Sequence, residues 1–271
     1  MTTSDKIKFY LLNTPYAKFI RNVEGYLIHL KMRFKKSPSV SPDTVLCISP
    51  YKTGTTFLSS SFSPEVSQHE PIHHISYKLL DKDFDKYFKQ RFDYLNLKLE
   101  CSGSWSAYID ELANNEIAKN LQYLCVLRSP SSWITSVINY WNKTNMLKFY
   151  YDIPLEHFWQ EKVGVNLRDF DFESDSKTNQ DIIDKLISYY FEFTEKTSKL
   201  KNITYIPLKE ISDSIPMVES LIDEKANLKD SWKRENNRKR FIYKNDELDK
   251  RYKRLTRKLM KRRQAAPRLA S

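Results

Sequence analysis

Short runs of hydrophobic residues alternate along the chain with longer segments in which hydrophobic residues recur every three to four positions. A short apolar run bounded by turn residues is typical of a strand buried in a parallel sheet, and the longer spacing is typical of an amphipathic helix. The runs lie at residues 45–48, 97–101, 123–127 and 203–208, and a shorter strand is expected within 63–75. The alternation predicts an α/β protein with a parallel sheet and helices on both of its faces.

The strongest helix signal lies at 179–199, where one face carries the expected core positions Ile182, Ile183, Leu186, Ile187, Tyr190 and Phe191. Two aromatic-rich segments are open to more than one interpretation. Residues 81–96 favour an exposed helix, or a pair of helices, over the substrate side. Residues 148–176 have the composition of a mobile lid or an acceptor-binding insertion, and packing in the core explains their aromatic residues equally well.

The positive charge of the chain is concentrated near its end. The net charge is +11, and residues 229–271 hold 17 Lys or Arg against 5 Asp or Glu. We expect a basic terminal helix over 243–263. Such a block can steer anions, lie on an acidic membrane or bind nucleic acid without sequence preference. An ordinary solvated helix is the alternative, so the charge alone does not select a partner.

The three cysteines lie in or at the end of strand-like runs, at Cys47, Cys101 and Cys125. An odd number without metal-ligand spacing argues against disulfides and against a metal site, so we expect buried thiols. The sequence contains no secretory signal peptide and no apolar run of ~20 residues, which a membrane span requires. We therefore expect a cytoplasmic protein. The amphipathic segment at 7–34 either rests on a lipid surface or packs on the domain.

The first candidate for chemistry is a strand, a tight turn and a helix start at residues 44–62. Gly54 allows the turn, and Thr55 and Thr56 begin the helix. The first N–H groups of a helix have no intrahelical acceptor, so an anion is favoured in front of them. A nucleotide-triphosphate loop has the order G-x-x-x-x-G-K-[ST], whereas Lys52 precedes the glycine here.

The second candidate follows the strand at 123–127, which ends at Arg128. Pro130 comes two residues later and Ser136 comes eight residues later. A guanidinium at a strand end and a hydroxyl two helical turns further on can bind the same phosphate, because arginine offers a planar fork of donors. Both candidates follow strands, so both are expected at the carboxyl edge of one sheet.

These two motifs resemble those of the sulfotransferases, whose 5′-phosphosulfate loop is typically P-K-[ST]-G-T-T-[WF]-L and whose second motif is Arg, Pro and Ser at the spacing found here. The first match runs from Lys52 to Leu58, with Tyr51 inserted after Pro50. The resemblance implies a P-loop-type sheet and 3′-phosphoadenosine 5′-phosphosulfate as the sulfuryl donor, without a metal. It implies these donor-binding residues: Lys52, Thr53, Gly54, Thr55, Thr56 and Phe57 for the 5′ side, and Arg128 and Ser136 for the 3′-phosphate.

A catalytic base is expected near the end of the second strand. In carbohydrate sulfotransferases of the heparan type a glutamate resembles Glu70 in position, and a carboxylate there can take the proton of the attacking hydroxyl. His69, His73 and His74 are rivals, because an unperturbed histidine titrates closer to neutral pH. The candidate catalytic residues are therefore Lys52, Glu70 and His74.

Two parts of the chain depart from the family pattern. Related enzymes often have a catalytic histidine or lysine near the end of the third strand, where this chain has Cys101, Ser102 and Ser104. The basic loop that closes over the 3′-phosphate resembles residues 229–241 but lacks its glycines. We carry over Lys239 and Arg240 from this loop as further donor-binding candidates.

The resemblance implies a single sulfotransferase domain at 44–241, preceded by a helical segment and linker at 1–43 and followed by a basic helix and tail at 242–271. The expected acceptor is a hydroxyl of a saccharide or glycolipid, with contact at a membrane surface as an option and no specific nucleic acid. A small phenol or alcohol is the alternative acceptor. Two other classes remain open: a phosphoryl-transferring P-loop enzyme, and a nonenzymatic protein that binds anions or nucleic acid.

Overall fold

A computed structural model describes residues 17–35, 44–142, 153–227 and 240–265. The strands are β1 (Val45–Cys47), β2 (Ser67–His69), β3 (Leu99–Cys101), β4 (Gln122–Leu127) and β5 (Ile203–Pro207). The helices are α1 (Ala17–Phe34), α2 (Thr55–Ser60), α3 (His73–Lys82), α4 (Phe84–Leu95), α5 (Ile109–Asn114), α6 (Pro130–Trp141), α7 (Lys177–Lys196), α8 (Ile215–Ile222) and α9 (Asp246–Ala265). A π-helical turn lies at Leu155–Gln160.

The five strands form one parallel sheet in the order β2-β3-β1-β4-β5. Val45 pairs with Leu99 on one side and with Gln122 on the other, so β1 is central. Parallel neighbours need crossover connections, and helices supply most of these. The predicted α/β class with a parallel sheet is confirmed.

Alternate residues of the strands enter two separate clusters of buried side chains, as the period of two in a strand requires. The smaller cluster contains Val45, Cys47, Leu124 and Val126 together with residues of α2 and α8. The larger cluster contains the intervening strand residues together with residues of α4, α6, α7 and α9. All three cysteines are buried free thiols, as predicted.

The aromatic residues of 81–96 are an exception to the sequence prediction. The segment is helical, but Tyr87, Phe88 and Phe92 of α4 are buried in the larger cluster, so this face is not exposed. Interleaved charged residues of both signs obscured the apolar face of this helix in the sequence. In the 148–176 segment the described part also packs inward, with Phe158 and Trp159 fully buried, which favours the core alternative for residues 153–176.

Two further predictions meet the structure only in part. The basic helix α9 buries Leu248, Tyr252 and Leu259 in the larger cluster, so its inner face belongs to the core. The predicted linker before β1 and part of the 229–241 loop lie outside the described residues.

Among the helices that the structure describes, none combines the length and the apolar character needed to cross a bilayer.

A buried ion pair joins α4 to the sheet. Arg91 Nη2 donates to Glu100 Oε1 at 2.8 Å, and Nη1 donates to the other carboxylate oxygen. The same guanidinium also donates to the Pro71 carbonyl and to Ser76 Oγ, each at 3.0 Å. Both charged side chains are about 5% exposed, so every donor and acceptor in this network has to be satisfied internally. The network fixes the start of α3 over the edge of the sheet.

We expect Arg91→Ala to lower the free energy of unfolding by about 3–5 kcal/mol, because it leaves Glu100 as a buried charge without its partner. Lys89→Ala on the same helix is the control. Its ion pair with Asp93 is half exposed on the lysine side, so its loss should cost no more than about 1 kcal/mol. Urea denaturation measures both values. Equal effects of the two substitutions would contradict the structural role of Arg91.

Candidate functional site

The candidate site lies at the carboxyl ends of the strands, around the end of β1. The chain passes from β1 to β2 and β3 on one side of it, and then crosses to β4 on the other side. In open parallel sheets a crevice forms where successive connections run in opposite directions, and ligands bind there. The loops that follow β1 and β4 therefore meet at this crevice, and they are the two loops singled out by the sequence.

The turn after β1 is held by its own hydrogen bonds and by glycine. Thr53 is fully buried, and its hydroxyl donates to the Pro50 carbonyl at 2.7 Å. Gly54 has φ of 101°, and a Cβ there would lie 2.8 Å from Leu208 Cδ1. Any other residue would meet both the backbone strain and the clash. Thr53 thus stabilises the turn with its side chain, and Phe57 packs against the smaller core cluster.

Tyr51, which lies between Pro50 and Lys52, is buried beneath this turn. Its carbonyl accepts from Trp133 Nε1 at 2.8 Å, and its hydroxyl lies 2.6 Å from that of Tyr77. Gly103 makes room for it, because a Cβ on Gly103 would lie 2.8 Å from the Tyr51 nitrogen. Tyr51 therefore anchors the loop in the aromatic core.

Arg128 joins the two predicted motifs. Its Nη1 donates to the Lys52 carbonyl at 2.6 Å, and its Nε donates to Ser132 Oγ at 2.9 Å. The Tyr190 hydroxyl donates to the Arg128 carbonyl at 2.8 Å, which fixes the end of β4. The guanidinium therefore bridges the loop after β1 and the first turn of α6.

Ser136 lies on the partly exposed face of α6. Ser132, Ser136 and Tyr140 are spaced four residues apart, so they follow one another along that face. Arg128 contacts the first of them, and Lys52 Nζ lies 3.5 Å from the centroid of the Tyr140 ring. The helical rise puts Ser132 and Tyr140 roughly 12 Å apart, so the face of α6 between them is bounded by two cationic side chains.

Glu70 follows β2 and is the most perturbed acid of the site. Its Oε1 accepts from the Gly103 N–H at 2.6 Å, and its Oε2 is buried without a hydrogen-bond partner among the described residues. Burial raises the pKa of Glu70 to about 8, and the nearby Glu100 adds to this rise. The Gly103 N–H, Arg91 and the Tyr51 hydroxyl act in the opposite direction. The carboxyl can therefore accept a further hydrogen bond from a ligand.

His69, the last residue of β2, contacts the first two residues of α2. Its Nε2 lies 3.2 Å from Thr55 Oγ1 and 3.1 Å from Thr56 Oγ1, so both hydroxyls face the ring. Burial, His73 and Lys52 lower the pKa of His69 to about 4, which leaves the ring neutral at pH 7. His69 is consequently suited to orient the threonine hydroxyls.

The other two histidines take different positions. His73 Nδ1 lies 3.0 Å from the Glu70 carbonyl and begins α3. The backbone of His74 belongs to the same helix, but its side chain lies outside the described part of the structure. Of the four candidates for a base, the side chains of Glu70, His69 and His73 are thus described, and that of His73 lies against the Glu70 backbone.

The two candidates from the basic loop are less central. Lys239 lies outside the described residues. The Arg240 backbone N–H donates to Asn139 Oδ1 at 2.8 Å, which ties residue 240 to α6 one turn beyond Ser136. Its guanidinium lies 4.3 Å from the Phe172 ring centroid and 3.4 Å from Glu173. Arg240 is therefore near the end of α6, with its side chain directed at these residues.

Three residues that follow β1 and β2, at the carboxyl edge of the sheet, have left-handed backbone conformations. Five non-glycine residues in the described ranges have positive φ, and Asn96 and Asp223 among them cap helix ends. The other three are Lys52, Glu70 and Ile72, with φ of 69°, 52° and 44°. Such conformations cost about 1–3 kcal/mol each and concentrate at functional sites. The strain thus coincides with two of the predicted catalytic residues.

Sequence reasoning did not identify Gly103, Tyr140 or Ser132 as parts of the site. Gly103 had a usable signal, since it is one of only four glycines in the chain and directly follows a strand and a serine. Tyr140 and Ser132 had a weaker signal in their four-residue spacing from Ser136.

Comparison with models of protein families and with curated proteins finds no match for this chain.

The raised pKa of Glu70 predicts a pH-dependent stability difference between the wild type and Glu70→Gln. The unfolded chain loses the Glu70 proton near pH 4.5, and the folded protein loses it near pH 8. Between these pH values the carboxyl is protonated in the folded protein and ionised in the unfolded chain. The free energy of unfolding of the wild type should therefore fall, relative to the variant, as pH rises from about 4.5 to 8. The full difference is at most about 5 kcal/mol.

Urea denaturation of both proteins from pH 4.5 to 9 measures the two free energies of unfolding. Subtracting one from the other cancels the contribution of titrating groups that both proteins share. Glu65→Gln is the control, since Glu65 is exposed and precedes the same strand. A difference that does not change with pH would show that Glu70 is not a buried neutral acid near pH 7.

Proposed function

We propose that this protein is a sulfotransferase that moves the sulfuryl group of 3′-phosphoadenosine 5′-phosphosulfate to a hydroxyl group. The observation that carries the proposal is the hydrogen bond from Arg128 to the Lys52 carbonyl, at 2.6 Å. It brings the two motifs that resemble donor-binding motifs to one crevice, although 76 residues separate them in the sequence. Two cationic side chains at one crevice suit a donor with phosphates at two ends.

In the proposed complex the loop after β1 holds the 5′-phosphosulfate. The N–H groups at the start of α2 and the hydroxyls of Thr55 and Thr56 would face it, with His69 orienting those hydroxyls. Arg128 and Ser136 would bind the 3′-phosphate along the exposed face of α6. Lys52 would leave the Tyr140 ring and neutralise the bridging oxygen on which charge develops.

Glu70 is the proposed general base. The acceptor oxygen bonds to sulfur as the bond between sulfur and the phosphate oxygen breaks, and the acceptor proton passes to Glu70. Oε2 is the oxygen proposed to take the proton, because Oε1 already accepts from Gly103. Since Oε2 is buried, the acceptor hydroxyl would reach it only after the side chains that cover it move. Only the ionised carboxylate can take the proton, so activity depends on the deprotonated fraction of Glu70.

The proposed fold is a single domain of P-loop type with helices on both faces of the sheet. The division of the buried side chains into two clusters supports it, since α2 and α8 contribute to one and α6, α7 and α9 to the other. A saccharide or glycolipid hydroxyl is the proposed acceptor, because the candidate base is the glutamate after β2. In the described ranges no group of three or more His, Cys, Asp or Glu side chains forms a metal site.

Donor binding provides the first test. We expect wild-type protein to bind 3′,5′-bisphosphoadenosine without magnesium, and Lys52→Ala and Arg128→Ala each to weaken binding by about 10- to 100-fold, since each removes a charge-assisted contact. The affinity of Arg128→Lys should lie between those of the wild type and Arg128→Ala, because lysine keeps the positive charge and lacks the planar pair of guanidinium donors. Titration calorimetry measures the dissociation constants.

Lys177→Ala, an exposed lysine at the start of α7, is the control and should leave the dissociation constant unchanged. Thermal unfolding verifies that the Arg128 variants are folded. No binding by folded wild type would overturn the proposal. Magnesium-dependent binding of a nucleotide triphosphate would instead favour phosphoryl transfer.

The acid–base assignment gives the second test. In a labelled-sulfate assay with an accepted hydroxyl compound, kcat/KM should rise with pH and level off above about pH 8. Glu70→Gln should lower kcat by about 10²- to 10⁴-fold and leave bisphosphoadenosine affinity intact. His74→Gln should keep most of the activity. The reverse pattern, with His74→Gln inactive and Glu70→Gln active, would transfer the role to the histidine.

A further inference from the structure

The outer face of α1 is unusual because it exposes large apolar side chains. Val23 is 42% exposed, Tyr26 64%, Leu27 51% and Phe34 80%. Only one other large hydrophobic residue in the described ranges is comparably exposed, namely Ile242. Single exposed hydrophobic residues are ordinary, but a concentration on one helix indicates a surface that binds something.

These side chains form one stripe on the helix, which we name the α1 stripe: Val23, Tyr26, Leu27 and Phe34. At about 100° per residue all four lie within one side of the helix. On the same basis Lys31 and Arg33 fall at roughly 80° to either side of the stripe. Both are exposed. The stripe is therefore apolar along its centre, with Lys31 and Arg33 along its borders and Glu24 beside Lys31.

The opposite side of α1 is used for packing. A Cβ on Gly25 would lie 2.5 Å from Ile75 of α3, so the two helices approach closely there. Met32 is buried, and the His29 ring packs edge-on against Tyr87 of α4. The α1 stripe is consequently held outward by a docked helix.

Neighbouring helices add positive charge to this part of the surface. Arg33, Lys82 and Lys86 lie close enough to His29 to lower its pKa, after burial as the main cause. Of the acids in the same stretch, Asp81 pairs with Lys162, whereas Asp83 and Asp85 accept hydrogen bonds from neutral amide groups and keep their charge. The cations that border the stripe are thus those of α1 itself, Lys31 and Arg33.

We infer that the α1 stripe docks on the surface of an anionic lipid bilayer. An apolar stripe bordered by Lys and Arg matches the boundary between acyl chains and anionic headgroups. A second copy of the chain docked stripe to stripe would bring the Lys31 and Arg33 borders of the two copies together. Nucleic acid would engage the cations and leave the apolar stripe in water.

The helix that carries the stripe packs on α3 through Gly25 and Ile75, and α3 begins three residues beyond Glu70. Because α3 connects the docking helix to the candidate base, we link this surface to a glycolipid acceptor. This acceptor link rests on the proposed function, whereas the docking itself does not.

Flotation with vesicles tests the docking. We expect the full chain to float with phosphatidylcholine vesicles that contain phosphatidylserine, and to float less with phosphatidylcholine alone or in high salt. Leu27→Glu should reduce the partition coefficient by about tenfold or more, because it loses apolar burial and adds a repelled charge. Lys31→Gln should reduce it less and weaken the salt dependence.

Ile242→Glu is the matched control, since it alters an exposed hydrophobic residue elsewhere and should float like wild type. Bisphosphoadenosine binding by all variants reports the donor site separately, so failure of docking and failure of the proposed function are distinguishable. Absence of flotation by wild type, or equal flotation by Leu27→Glu, would overturn the inference. Self-association without lipid that Leu27→Glu abolishes would overturn it in favour of a second copy.

Discussion

The candidate site depends on the contact between the Arg128 guanidinium and the Lys52 carbonyl. Lys52 lies in a left-handed conformation, which a lysine adopts only when its surroundings compensate the strain. Arg128 supplies part of this compensation from β4, and Trp133 supplies more by donating to the preceding carbonyl. The same contact that stabilises the loop therefore also sets the position of the guanidinium. A ligand phosphate at this crevice would meet a preorganised donor.

The sequence was sufficient for the parts of the site that are local. A short apolar run, a glycine turn and a helix start are encoded in consecutive residues, so the loop after β1 and the end of β4 were predicted at their observed positions. Strand β2, with the sequence Ser-Gln-His, is polar on a sheet edge and could only be located approximately. Its weak pattern reflects its single sheet neighbour.

The tertiary contacts of the site could not be predicted in the same way. The Gly103 N–H reaches Glu70 across 33 positions, and Lys52 meets Tyr140 across an interface between a loop and a helix. Neither contact has a periodicity or a spacing that a single sequence reveals. The buried aromatic face of α4 was missed for another reason, since charged residues of both signs alternate with the aromatic residues and make the helix look solvated.

Two carboxylates near the same edge of the sheet illustrate how environment separates their roles. Glu100 lies in β3 and is paired with Arg91, with further donors from Ser102 and Trp105. Glu70 has no ion pair of this kind: the Gly103 N–H donates to Oε1, and burial raises its pKa in spite of this bond. The pair of Glu100 and Arg91 is structural, because both carboxylate oxygens of Glu100 are already hydrogen-bonded to the guanidinium inside the core. Glu70 has no such ion pair, and its buried Oε2 and raised pKa are the observations that support the proposed role in proton transfer.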